Sequence, residues 1–144
     1  MLSENALKQI ASVDREQIER RIRLLFDCWQ SGDTDGLISG LAPDIYFPAN
    51  GSWTGLKAPL RGRDRVAAHL HKYARALENI VIVLHEIVID GDRAVVHRTS
   101  VGRWRATGRR YQCDFIDFLR FRDGLLVEFA EYPDAAWSQI EAVA

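Results

Sequence analysis

The stretch RRYQCDFIDFLRFRDGLLVEFAEYPD, residues 109–134, decides how the rest of the chain folds. It reads as two antiparallel strands joined at Arg122-Asp123-Gly124. Side chains alternate along a strand, so Cys113, Phe115, Asp117, Leu119 and Phe121 share one face of the first. Leu125, Val127, Phe129 and Glu131 share one face of the second. Each apolar row therefore carries one carboxylate where the pattern calls for a hydrophobe. An ionised carboxylate is costly to bury unless it is paired or its pKa rises, so Asp117 and Glu131 each demand a partner or a task. A two-residue turn would place the two rows on opposite faces. A three-residue loop with Gly124 left-handed, followed by a bulge, gathers both on one concave surface and is the expected form. Phe115 is then expected opposite Glu131 and Asp117 opposite Phe129, with the carboxylates diagonal neighbours roughly 7 Å apart.

Working back from this hairpin, Arg93 to Arg105 reads as a strand, and Asn79 to Ile89 as another, turned at Asp90-Gly91-Asp92. Asp64 is expected to open a helix whose buried stripe is Val66, Leu70, Tyr73 and Leu77, leaving His69 and His71 in solvent. Pro48 to Arg61 is loop, and Trp53 within it is a candidate pocket wall. Ile45 to Phe47 is a short strand. Asp33 caps a short helix through Leu41, stopped by Pro43. The first helix is expected from Asp14, which with Gln17 fits a capping box, to a C-terminal glycine at Gly32. Its inner positions are Ile18, Ile22, Leu25 and Trp29, and residues up to Ser12 form a loose arm or short helix. Downstream, Asp134 caps a last short helix from Ala135 to about Glu141.

Helices first and a curved antiparallel sheet after is an α+β layout: a cone-shaped sheet wrapped over the N-terminal helices, its inner row lining a cavity. With 144 residues, 47% hydrophobic and 27% charged, the chain is expected to be one domain, 1–144, with its core at about 14–135. A net charge of −1 points to neither nucleic acid nor an anionic membrane as partner. No apolar run approaches the ~18 residues of a membrane span, and the first residues lack the order of a signal peptide. Cys28 and Cys113 have no metal-type or CxxC spacing and read as buried thiols in a reducing compartment, so a cytoplasmic location is expected. His and Cys are scattered without ligand spacing, so no metal and no cofactor is expected.

The chain resembles the SnoaL-like members of the nuclear transport factor 2-like superfamily, which includes ketosteroid isomerase, scytalone dehydratase and limonene epoxide hydrolase. Carrying the resemblance are Trp29-Gln30-Ser31-Gly32-Asp33 with Leu37, Gly62-Arg63-Asp64, Phe121-Arg122-Asp123-Gly124 and Glu131-Tyr132. The resemblance implies the cone-shaped fold and leaves the chemistry open. Against ketosteroid isomerase, Asp117 matches the oxyanion-holding acid, but Ala49 stands near the general base and Leu25 near the tyrosine. Against limonene epoxide hydrolase, Arg98, Glu131 and Tyr46 match, while Ser100 replaces the first Asp and Pro48 the Asn. Against scytalone dehydratase, His85 and His97 lie on neighbouring strands, yet an inward Arg98 turns His97 outward.

The inward polar set is then Arg98, Asp117, Glu131 and Tyr46 as candidate catalytic residues. Trp53, Phe115, Leu119, Phe129, Ser100 and Trp29 are candidate ligand contacts. One reading is an ion-pair network in which Arg98 neutralises a carboxylate. The other is cofactor-free acid–base chemistry on a small apolar molecule, with one carboxylate ionised as base and the other protonated as acid. A non-catalytic ligand carrier or a dimeric interaction module is the alternative. Outward apolar residues (Ile116, Phe118, Val95, Val101, and either Ile80, Ile82 and Leu84 or Val81, Val83 and Ile87) suggest a homodimer through the sheet face.

Overall fold

The computed structural model describes residues 1–48 and 56–134. The element order is α1 (Glu4–Ser31), α2 (Thr34–Ser39), β1 (Leu41–Phe47), β2 (Leu60–Arg61), α3 (Arg63–Ala76), β3 (Leu77–Asp90), β4 (Arg93–Trp104), β5 (Arg110–Arg122) and β6 (Leu125–Pro133). Trp53 and the expected final helix lie outside the described residues.

The strands form one sheet in the order β2-β1-β6-β5-β4-β3. β3 to β6 are a meander, as expected, and β1 adds on in parallel to β6. The N-terminal arm is not separate: α1 runs unbroken from Glu4, capped by Ser3, whose side chain accepts from the Ala6 N–H at 3.2 Å. Asp14 lies inside this helix and caps nothing, because a better N-terminal cap lies upstream. At its other end Gly32 takes the left-handed conformation, φ 81°, that closes the helix. Asp33 caps α2 by accepting from Gly36 N–H at 3.0 Å. α2 stops at Ser39, and Leu41 to Pro43 belong to β1 rather than to the helix. α3 begins at Arg63, one residue before Asp64, with Gly62 at its cap position.

The dominant hairpin is built differently from the expected three-residue loop. Asp123 and Gly124 both have positive φ, 52° and 77°, and Arg122 pairs with Leu125. That is a two-residue turn. The bulge sits further down the ladder, between Arg120 and Phe121, where Val127 is the extra residue of β6. It restores the face-sharing that the turn alone would destroy, so Leu126 faces Phe121 while Phe129 and Glu131 still point to the concave side. The register is shifted by two from the expected one: Asp117 pairs directly with Glu131, Leu119 with Phe129, and Phe115 with Pro133. The carboxylates are direct cross-strand partners, not diagonal ones.

Two further bulges, between Glu78 and Val81 and between Leu84 and Glu86, lie in β3. Bulges bend a strand and increase its twist, and these, with the register shift between Leu41 and Tyr46 in β1, curl the sheet over the helices. α1 is tied to β3 by the Gln30 side chain, which accepts from the Ile82 N–H at 2.7 Å. Ile22, Phe26 and Leu37 from the helices meet Ile45, Phe47, Val96, Leu119, Phe121 and Leu126 from the sheet in the main core. A second cluster of Leu77, Trp104, Tyr111, Cys113 and Phe115 closes the other end, and Trp29 packs against both.

Gly102 shows how tightly that second cluster is fitted. It pairs with Tyr111, and a Cβ on it would stand 2.6 Å from the Tyr111 hydroxyl and 2.7 Å from two ring carbons. Gly102→Ala is therefore expected to lower stability by about 1–3 kcal/mol through overpacking. Urea unfolding measures it, and an unchanged midpoint would mean that Tyr111 moves aside freely.

Candidate functional site

The concave face and the helices enclose a cavity of about 110 Å³. Its apolar wall includes Phe26 and Trp29 from α1, Leu37 from α2, Ile45 and Phe47 from β1, and Leu70 and the Tyr73 ring from α3. Its polar groups are Arg98 and Ser100 on β4, Tyr111 on β5, Glu131 on β6, and His69 and the Tyr73 phenol on α3. For scale, a dry cavity of ~150 Å³ admits benzene.

Arg98 is the hub. It is inward on β4, buried, and donates from Nε to Asp117 Oδ2 at 2.6 Å and from Nη2 to Asp117 Oδ1 at 3.2 Å. The same Nη2 donates to Glu131 Oε2 at 2.6 Å. Two aromatic rings flank the guanidinium, Phe115 at 4.0 Å and Phe26 at 5.0 Å from its carbon. The two carboxylates are not equivalent. Asp117 is fully buried and sits behind Arg98, outside the cavity wall, whereas the Glu131 side chain keeps 19% of its surface and lines the cavity.

One guanidinium cannot neutralise two carboxylates in a dry site. Burial raises the pKa of both acids, and Arg98 opposes the rise in each. Asp117 takes the two-bond grip of the guanidinium. Glu131 takes one bond and also feels the Asp117 charge, and its pKa is pushed up to about 7. The trio thus holds a proton near neutrality, and the geometry favours Glu131 as its carrier. Burial, opposed by a hydrogen bond with Ser100, keeps the Tyr111 phenol protonated beyond its usual range. His69 is pushed the other way, toward the neutral imidazole, by burial and then by Lys72.

Arg98, Asp117 and Glu131 are thus brought together, and Phe115, Phe129, Ser100 and Trp29 line the cavity beside them. Leu119 is wholly buried in the core and does not reach the cavity. Tyr46 is also elsewhere. Alternation along β1 turns Ile45 and Phe47 inward and Tyr46 away, where the Arg61 guanidinium stacks on its ring at 4.3 Å.

His69, expected in solvent, stands in the wall instead, with ring contacts to Phe47 at 5.4 Å and Tyr73 at 5.1 Å. It lies three residues after Val66 and four before Tyr73, which is helical spacing, so the stripe could have included it. Tyr111 was also missed. Strand parity alone placed it on the Cys113–Phe115 row, two residues further back.

The model of the SnoaL-like domain matches residues 22–129. No curated protein matches the sequence. Among solved structures, TsrD from Streptomyces laurentii superposes with a TM-score of 0.70 at 26% identity, covering 84% of this chain and 90% of that one. An NTF2-like protein from Burkholderia xenovorans LB400 does so with a TM-score of 0.69 at 26% identity, over 86% and 95% of the two chains. An LEH-like epoxide hydrolase from M. tuberculosis shares the fold, with a TM-score of 0.70 at 17% identity, over 90% of this chain and 98% of that one. Curved sheet, N-terminal helices and enclosed cavity agree with these likenesses, and the chain belongs to the SnoaL-like family.

Proposed function

We propose that the cavity binds a small, largely apolar molecule and that Glu131 exchanges a proton with it, in a cofactor-free isomerisation, cyclisation, dehydration or epoxide opening. The observation that carries this reading is a carboxyl, Glu131, held by a single bond to a guanidinium that it shares with Asp117. It stands in the wall of a largely apolar cavity, where burial pushes its pKa up to about 7. A group poised near ambient pH is both available as acid and regenerable as base. Glu131 Oε2 is engaged by Arg98, so Oε1 carries the proton toward the ligand. Asp117 plays no direct part; it anchors Arg98 from behind and keeps the charge balance that protonates Glu131. Tyr111, with Ser100, the Tyr73 phenol and neutral His69 are the remaining groups that can hold a substrate oxygen.

The same chain is proposed to act as a homodimer through the outward face of the sheet. Val81 and Val88 are each 51% exposed there, with Val83 at 47%, Ile116 at 44% and Val95 at 39%. An apolar row of this length seldom stays uncovered on a monomer. The buried thiols of Cys28 and Cys113 fit a reducing compartment, and the proposed location is the cytoplasm.

The folded-state pKa of Glu131, about 7, lies above its ordinary value of 4.5. Between these values the folded state holds a proton that the unfolded state has released, so Glu131 makes stability fall as pH rises through that window. Glu131→Gln should flatten this fall in urea midpoints measured across the range. A slope equal to that of the unaltered protein would place the proton elsewhere. Glu131→Gln should also keep ligand binding, read by thermal shift against a panel of small cyclic ketones, epoxides and enols, and lose turnover. Turnover that persists sinks the acid–base role, while binding without turnover in the unaltered protein leaves a ligand carrier.

Arg98→Met strips Asp117 of its partner in the core and should cost about 3–5 kcal/mol. Pairing it with Asp117→Leu should recover much of that loss in the same urea measurement. No recovery would mean that the ion pair was not what the single change broke.

For the dimer, light scattering behind size exclusion at micromolar concentration should give twice the chain mass, falling to one chain mass for Ile116→Lys. A single-chain mass for the unaltered protein counts against it.

A further inference from the structure

Away from the cavity, on the opposite face of the sheet, three strands bring His85, His97 and Asp114 together. One ligand atom from each lies within 4.8 Å of the other two. Their backbone positions explain the grouping. The bulge between Leu84 and Glu86 makes His85 an extra, unpaired residue on β3, turned outward with Val81 and Val83. His97 is outward on β4 because Arg98 is inward. Asp114 is the cross-strand partner of Thr99 on β5, one step along the same outward row from His97.

The polar contacts within the group are few. His97 Nε2 stands 3.8 Å from Asp114 Oδ2. The Thr99 hydroxyl donates to Asp114 Oδ1 at 2.6 Å and also lies 2.6 Å from His85 Nε2. The imidazole rings are 4.8 Å apart. Among the described residues no Lys or Arg pairs with Asp114; its one ion-pair partner is His97, which carries a charge only when protonated. Among the described residues the cluster is thus two imidazoles and a carboxylate with no Lys or Arg paired to it.

We propose that His85, His97 and Asp114 form a binding site for a divalent transition metal of the zinc class on the outward face of the sheet. Two imidazole nitrogens and one carboxylate oxygen suit zinc, copper or nickel, whereas magnesium and calcium take oxygen ligands. Tetrahedral zinc with bonds of about 2.0–2.2 Å needs its ligand atoms about 3.3–3.5 Å apart. The present spacings close to that by side-chain rotation, since His97 and Asp114 keep 40% and 53% of their side-chain surface and the ladder need not move. His85 exchanges its contact with Thr99 for the metal. Thr99 continues to hold Asp114 from outside, as carboxylate ligands are commonly held. The fourth position faces outward, among Val83, Val95 and Ile116 of the face proposed for the dimer, so the metal would lie in or beside that seam. Because β3 is the edge of the sheet, a metal here would staple the edge strand to the two strands beside it.

The test uses the whole chain, stripped of metal by dialysis against chelator and then titrated with zinc by calorimetry and with cobalt(II) by visible absorption. One metal per chain is expected at micromolar concentration, with cobalt d–d bands, and zinc should raise the melting temperature. His85→Ala, His97→Ala and Asp114→Asn should each weaken binding at least tenfold, and the double variant His85→Ala/His97→Ala should abolish it. His71→Ala on α3 should leave it unchanged. These positions are exposed or half-exposed, and matching melting curves of the metal-free variants confirm that they fold. The proposal is overturned if the unaltered protein shows neither heat nor cobalt bands at sub-millimolar metal, or if the double variant binds as the unaltered protein does.

Discussion

Everything chemical in this molecule hangs on one guanidinium shared between two carboxylates. Arg98 is buried, and burial by itself would weaken its hold on its proton; the two acids more than reverse that, and its pKa rises. Asp117 grips it from the closed side and Glu131 meets it from the cavity side. The imbalance of one cation and two acids is what leaves a proton available. Such trios add little net stability, since well-packed hydrophobes in their place are often as stable or more so. A trio with its one partly exposed member in the wall of a cavity is therefore better explained by what that member can do than by what it holds together.

The geometry that delivers Glu131 to the cavity depends on a single extra residue. With a two-residue turn at Asp123-Gly124, strict alternation would point Phe129 and Glu131 away from the helices. Val127 corrects the parity within one step of the turn. The two anomalous carboxylates were legible in the sequence because each interrupts an apolar row, whereas Arg98 came from the resemblance to limonene epoxide hydrolase. The register of the carboxylates was not legible. A bulge in the turn and a bulge further along satisfy the same hydrophobic pattern, and only the local twist of the ladder chooses between them.

The site residues split along the same line. Phe115, Phe129 and Ser100 are legible because strand parity is strict, and the same parity turns Tyr46 away from the cavity between its inward neighbours Ile45 and Phe47. His69 was hidden by its type: a polar residue at a helical position between Val66 and Tyr73 looks like the edge of a stripe. The outward group of His85, His97 and Asp114 has no linear signature at all. Its members come from three strands, and the spacing of 12 and 17 residues between them encodes nothing until the bulge at His85 and the pairing of Thr99 with Asp114 are known.

The cavity has two unlike sides. The acid, the guanidinium, the serine and the Tyr111 phenol all stand on the sheet; α1 and α2 bring Leu25, Phe26, Trp29 and Leu37, and α3 adds His69 and Tyr73 to its apolar side chains. The proton-bearing groups are held by ladder hydrogen bonds that a change in a helix side chain does not touch. Exchanging Trp29, Leu37 or Leu70 would reshape the space and the burial that raises the Glu131 pKa while leaving its bond to Arg98 in place. Under the proposed function, the helices would set what the cavity accepts and the sheet would hold the groups that act on it.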